Sequence, residues 1–283
     1  MYRIATKKVL NSTVTQMEIE APLVARKAKP GQFIILRATD DGERIPLTVA
    51  GCDKEKGTVK IIFQIVGSTT EKLNRKKAGD FIPDFAGPLG EPTHTDGIKK
   101  VCIIGGGVGC AIALPVAEEF HRLGANVTSI IGFRSRDLLI LEEEFKACSD
   151  SLAVMTDDGS YGREGNVTLP LSEMLGSGEK FDMIITIGPL VMMKFVTLTA
   201  KPYEIPVTVS MNPIMIDGTG MCGGCRLTLI KDGKPVTKFA CVDGPDFNGY
   251  EVDFDEAMSR SRMYADFERH AYEATCNLMR KGD

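Results

Sequence analysis

Apolar and polar residues alternate with a period of two through the first third of the chain. TVTQMEIE, GQFIILRAT, IPLTVAGC and TVKIIFQIV read as short strands, punctuated by turns at Pro30-Gly31, Asp40-Asp41-Gly42 and Lys56-Gly57. Successive strand side chains face opposite sides of a sheet, so each run offers one face to a core. Several strands at this spacing predict an all-β antiparallel barrel or sandwich over residues 1–99.

From residue 100 the pattern changes. VCIIGGGVG is a buried strand running into a glycine-rich turn, and AIALPVAEEFHRLG is a helix that stops at Gly124. Strand-like NVTSIIGF, SLAVMT, FDMIITIG and IPVTVS then alternate with helical LLILEEEFKAC, TLPLSEML and VMMKFVTLT. This alternation predicts a parallel sheet with helices on both faces, an α/β nucleotide-binding domain over residues 100–212. A small loop module over residues 213–250 follows, and residues 251–283 read as a terminal helix. Met263, Phe267, Ala271, Ala274 and Leu278 fall on one face of that helix. Such a stripe either closes the chain's own core or docks a partner subunit.

Two cores fit comfortably within 283 residues. A net charge of −4 gives no reason to expect nucleic acid, and no apolar run is long enough to span a bilayer. The first residues alternate and carry charge from the start, which predicts a strand rather than a signal peptide, hence a cytoplasmic protein with reduced thiols. Cys52, Cys102, Cys110, Cys148 and Cys276 lie among apolar neighbours and read as core packing. Three cysteines remain.

Those three share one stretch. Cys222 and Cys225 enclose two residues, Cys241 follows after fifteen, and Asp217 stands five positions before Cys222. Thiolates are the preferred ligands of iron–sulfur clusters, and Gly218, Gly220, Gly223 and Gly224 supply a loop that can wrap amides around cluster sulfurs. Plant-type two-iron ferredoxins place two cysteines with four residues between them, then a third after two more; here Asp217 occupies the first place, which makes it the expected fourth ligand. A structural zinc site normally needs a second close Cys or His pair, and a disulfide does not suit a reducing compartment.

Gly105, Gly106, Gly107, Val108 and Gly109 follow a strand and open a helix, presenting amides and a helix N-terminus to a pyrophosphate. The acidic residue that commonly ends the next strand is absent; Arg134 and Arg136 stand there, suited to a 2′-phosphate or to a solvated turn. Asp157 and Asp158 either bind dinucleotide hydroxyls or start a turn. Gly188-Pro189 ends another strand where open α/β sheets bind ligands. In the β half, the run Arg44, Ile45, Pro46, Leu47 and Thr48 offers a hydroxyl to a redox-active ring nitrogen, and Gly67, Ser68, Thr69 and Thr70 offer amides and hydroxyls to a phosphate; each run also reads as a turn.

In this order the motifs resemble the ferredoxin–NADP reductase superfamily over nearly the whole chain. The resemblance is strongest to the electron-transfer subunit of dihydroorotate dehydrogenase and the small subunit of NADH-dependent ferredoxin:NADP oxidoreductase. It implies an FAD-binding barrel, an NAD(H)- or NADP(H)-binding domain and a [2Fe-2S] module, acting as an oxidoreductase subunit for a larger flavin and iron–sulfur partner, with ferredoxin served indirectly. Pro46, Leu47 and Thr48 match the FAD element whose hydroxyl faces the flavin; the family arginine falls on Ile45, with Arg44 one place earlier. Residues 67–70 match the second FAD element, Gly87-Pro88-Leu89-Gly90 the turn before the nucleotide domain, and residues 105–109 and 188–189 the NAD(P) elements. Asp217 departs from the four-cysteine pattern of the dihydroorotate subunit and suits the oxidoreductase small subunit better. The reading from another class is a non-catalytic redox-sensing nucleotide-binding module.

Overall fold

The computed structural model describes residues 1–280, with side chains through residue 273. The first half contains β1 (Tyr2–Val9), β2 (Val14–Glu20), α1 (Pro22–Lys27), β3 (Phe33–Arg37), β4 (Arg44–Asp53), β5 (Thr58–Gln64), α2 (Ser68–Arg75), β6 (Phe81–Ile82) and β7 (Asp84–Leu89). The strands form one antiparallel sheet in the order β6-β1-β2-β5-β4-β3-β7, curled into a nearly closed barrel. Alternation fills it: Met17 and Ile19 of β2, Ile34 and Leu36 of β3, and Ile61 and Phe63 of β5 meet inside, with Leu73 of α2 closing the core. The half expected to be all-β thus carries two short helices.

The second half holds β8 (Lys100–Gly106), α3 (Cys110–Arg122), β9 (Asn126–Phe133), α4 (Glu142–Ala147), β10 (Ser151–Thr156), β11 (Arg163–Glu164), α5 (Thr168–Gly176), β12 (Met183–Ile187), α6 (Leu190–Ala200) and β13 (Val207–Ser210). These strands are parallel, in the order β11-β10-β9-β8-β12-β13. The helix expected over LLILEEEFKAC shrinks to α4, because Leu141 takes a left-handed φ of 62° just before it.

Beyond residue 212 come the hairpin β14 (Arg226–Lys231) and β15 (Lys234–Phe239), α7 (Ala240–Asp243), β16 (Asp246–Asn248), α8 (Phe254–Ser261) and α9 (Ala265–Arg280). β16 pairs antiparallel with β13, so the cysteine segment adds an edge strand to the α/β sheet. The single terminal helix expected from the pattern is two helices broken by a turn at residues 262–264. Met263 and Phe267 are exposed and do not close the chain's own core; the side chains of Ala274 and Leu278 lie outside the described residues.

Two shared cores hold the parts in register. β3 is apolar on both faces: Ile34 and Leu36 point into the barrel, whereas Phe33 and Ile35 join Met211, Met215, Leu227 and Cys241 in a core common to the sheet edge and the cysteine segment. On the other side Val14, Ala50 and Ile62 of the barrel pack with α3. Among the described residues no helix is long and apolar enough to cross a membrane. Cys102, Cys110 and Cys148 are buried and Cys52 half-buried; burial pushes the Cys148 thiol up to about 11, and Cys276 lies outside the described side chains.

Candidate functional site

A cleft of about 850 Å³ runs between the barrel and the C-terminal ends of the parallel strands. β8 is flanked by β9 on one side and β12 on the other, so the chain direction switches beside β8, the place where open α/β sheets bind ligands. Gly106, Gly107, Val108 and Gly109 form one wall and Gly188-Pro189 the next. Backbones approach closely here. A Cβ on Gly109 would stand 2.4 Å from the carbonyl oxygen of Ile187, and one on Gly105 2.9 Å from Cys110 Sγ. Gly107, at φ 56°, has open space where a side chain would be.

The barrel supplies the opposite wall through β4. Ile45 and Leu47 pack toward the barrel core, and Pro46 and Thr48 line the cleft. Arg44, exposed, shares by strand alternation the face of Pro46 and Thr48 but is not among the residues that line the cleft. Gly67 precedes α2 with open space around it. Thr70 Oγ1 is engaged in the cap, accepting from the amides of Val66 (3.1 Å) and Gly67 (3.0 Å), and Thr69 is buried with its hydroxyl toward Glu43. What residues 67–70 offer an anion is the amide end of α2.

At the far end of the cleft Arg134 and Asp157 line the wall. Arg136 stacks its guanidinium 5.5 Å from the Tyr161 ring centroid, and Asp158 accepts from the Ser160 amide (3.0 Å) and hydroxyl (2.6 Å), which hold its carboxyl below the usual range. Asp158 therefore builds the turn, leaving Asp157 to the cleft. Sequence reasoning missed Asn11, in the β1–β2 turn, which lines the cleft and donates to the Leu138 carbonyl at 3.0 Å. An Asn ahead of Ser-Thr was the available signal.

The cysteine segment lies against this junction. Cys225 and Cys241 are buried with their sulfurs 3.1 Å apart, whereas Cys222 is exposed. Asp217 accepts from the amides of Thr219 (2.8 Å) and Cys222 (3.1 Å), bonds that hold its carboxyl below the usual range. Gly218, Gly220 and Gly223 all take positive φ, the bends that fold the loop back on itself. Among the described residues no three of these side chains converge as a metal group; the paired thiols are the part already assembled. Two thiols and a carboxylate on one glycine-bent loop, with Cys241 of α7 brought against Cys225, nevertheless suit an iron–sulfur cluster in donor chemistry.

Residues 212–253, which include all four of these positions, match the iron–sulfur cluster binding domain of dihydroorotate dehydrogenase B. The chain is 45% identical over 270 residues to the Thermotoga maritima homolog of the dihydroorotate dehydrogenase B (NAD(+)) electron transfer subunit, covering 95% of this chain and 94% of the relative. It belongs to the family of dihydroorotate dehydrogenase B electron-transfer subunits. A solved chain from the NADH-dependent reduced ferredoxin-NADP oxidoreductase is 43% identical, covers 97% of both chains and superposes with a TM-score of 0.88. An Amycolatopsis cytochrome P450 reductase, 20% identical over 72% of this chain and 66% of its own with a TM-score of 0.61, shares the fold. Within this electron-transfer family the present chain is an oxidoreductase subunit with a ferredoxin reductase-like fold and an iron–sulfur binding domain.

Proposed function

We propose that this chain carries electrons between NAD(P)H and a larger catalytic subunit of the NADH-dependent ferredoxin:NADP oxidoreductase kind, through FAD and a [2Fe-2S] cluster, with ferredoxin reached through that partner. The observation that carries the reading is the single cleft that puts Thr48, the Gly106–Gly109 turn and Gly188 against the segment bearing the cysteines. When bound, FAD would take a hydride from a nicotinamide and hand on single electrons, the conversion that a cluster requires. Pro46 and Thr48 would seat its ring, the amide end of α2 its phosphates, and Arg44 a charged rim. Residues 105–109 would hold the dinucleotide pyrophosphate, Gly188 would leave room for the nicotinamide, and Arg134 and Asp157 would read the ribose end. Asp217, Cys222, Cys225 and Cys241 would hold the cluster. Asp217 in place of a fourth cysteine favours this reading over the dihydroorotate one, which the family match keeps as the second candidate.

Replacing Thr48 by Val keeps the side-chain volume and removes one hydroxyl from the cleft wall. Losing one hydrogen bond of about 1–1.5 kcal/mol should slow flavin reduction by about tenfold with FAD still bound. Stopped-flow bleaching by NADH checks this; an unchanged rate removes Thr48 from the chemistry.

A further inference from the structure

A second cavity, of about 820 Å³, opens on the other side of the junction, bordered by the inter-domain linker at Glu91, Thr93, His94 and Asp96. Between it and the cleft stands Asp246, the first residue of β16. Its Oδ2 accepts from Thr93 Oγ1 at 2.6 Å across 153 positions of sequence. Ser210 is its register partner on β13, and Ser210 and Pro245 both line the cleft. The residue as a whole is half-buried, yet Oδ1 is sealed from solvent and has no hydrogen-bond partner. Burial pushes the carboxyl up, against the opposing pull of the Thr93 and Ser210 hydroxyls, and among the described residues it has no ion pair. A buried carboxyl without a cation is best accommodated when it holds a proton.

We propose that Asp246 is a proton-relay acid which, with Ser210 and Thr93, carries protons from the nucleotide cleft to the second cavity. The inference rests on the electron-transfer reading above. Oxidation of NADH gives NAD⁺, two electrons and one proton; two equivalents of a one-electron acceptor, reached one electron at a time through the chain's cluster, take the electrons, and the proton has to leave the cleft. The only charged residues among those lining it are Arg134, which does not give up its proton, and Asp157. Asp157 follows β10, four strands from β13, about 19 Å away at roughly 4.8 Å per strand. Asp246, resting protonated, releases its proton through Thr93 to water in the second cavity and is reprotonated from the cleft by way of Ser210.

The test uses full-length protein carrying its cofactors, with Asp246→Asn, whose carbonyl still accepts from Thr93, and Asp246→Ala. Infrared spectra at neutral pH should show a protonated-carboxyl stretch that Asp246→Asn removes. Stopped-flow should show bleaching by NADH unchanged in Asp246→Asn, while reoxidation by ferricyanide slows by about a hundredfold, the lower end of proton-transfer catalysis. Added formate should restore the rate in Asp246→Ala, which a purely structural role would not allow. Absence of the stretch in the wild type, or wild-type reoxidation in Asp246→Asn, overturns the relay and leaves the electron-transfer reading standing. Wild-type protein that NADH fails to bleach overturns both.

Discussion

Cys225→Ala should leave the purified protein without its iron. Cys225 is 1% exposed, its sulfur stands 3.1 Å from Cys241, and it belongs to the core that joins the sheet edge to the cysteine segment. Among the described residues no three His, Cys, Asp or Glu side chains are gathered into a group that could hold a metal without it. Replacing a buried thiol by a methyl adds only a small cavity, so β14, β15 and the barrel should fold and the loss should be of metal rather than of structure. Asp217 makes the useful contrast. Its half-buried carboxylate is tied to the Thr219 and Cys222 amides, so Asp217→Cys should keep the iron and shift the reduction potential, because a softer ligand changes the balance between ferric and ferrous forms. Iron assay and electron paramagnetic resonance on the two variants check the pair. Full iron in Cys225→Ala would remove Cys225 from the ligand set, and an unchanged signal and potential in Asp217→Ala would remove Asp217.

Gly109→Ala should cost both stability and nucleotide binding. The added Cβ would sit 2.4 Å from the Ile187 carbonyl oxygen and 2.8 Å from Gly188 Cα, and backbone cannot yield as a flexible side chain does. Separating β8 from β12 to relieve the clash would open the cleft at the strand where its direction switches. Overpacking of this kind costs on the order of 2 kcal/mol. Gly107→Ala isolates the other half of the argument. That position has open space, so its cost is the left-handed φ of 56°, about 1 kcal/mol, and a methyl placed in the cleft. Thermal melts should therefore rank Gly109→Ala below Gly107→Ala, while NADH titration finds both weakened. Equal melting of Gly109→Ala and the parent would contradict the close packing of β8 on β12.

How much of this was legible in the sequence depends on whether the determinant was local. Period-two alternation gave the strands of the barrel because Met17, Ile19, Ile61 and Phe63 each need only one buried face. The apolar run FIILR in β3 was the visible trace of a strand buried on both sides, which is where the shared core lies. The spacing of Asp217, Cys222, Cys225 and Cys241 marked the cysteine segment without any structure. What stayed hidden was contact between distant positions. β16 is three residues long, too short for a pattern, and joins the sheet through β13. The bond from Thr93 to Asp246 spans 153 positions. Backbone geometry was equally silent: Leu141 in a left-handed conformation shortens a helix that its composition favours, and the turn at residues 262–264 breaks a stripe that reads as continuous. At β4 the motif alignment turned on a single residue, and only register, with Ile45 and Leu47 toward the barrel core, puts Arg44 on the face of Pro46 and Thr48.

One chain is expected to hold flavin, nicotinamide nucleotide and iron–sulfur cluster in electronic contact. The visible spectrum of anaerobically purified protein, recorded before and after NADH and then NADPH, with iron and zinc assayed on the same sample, tests it most directly. Flavin and iron–sulfur absorbance bleached together by one nucleotide is the result expected, and it names the donor. A colourless protein containing zinc would contradict the account and leave a nucleotide-binding module.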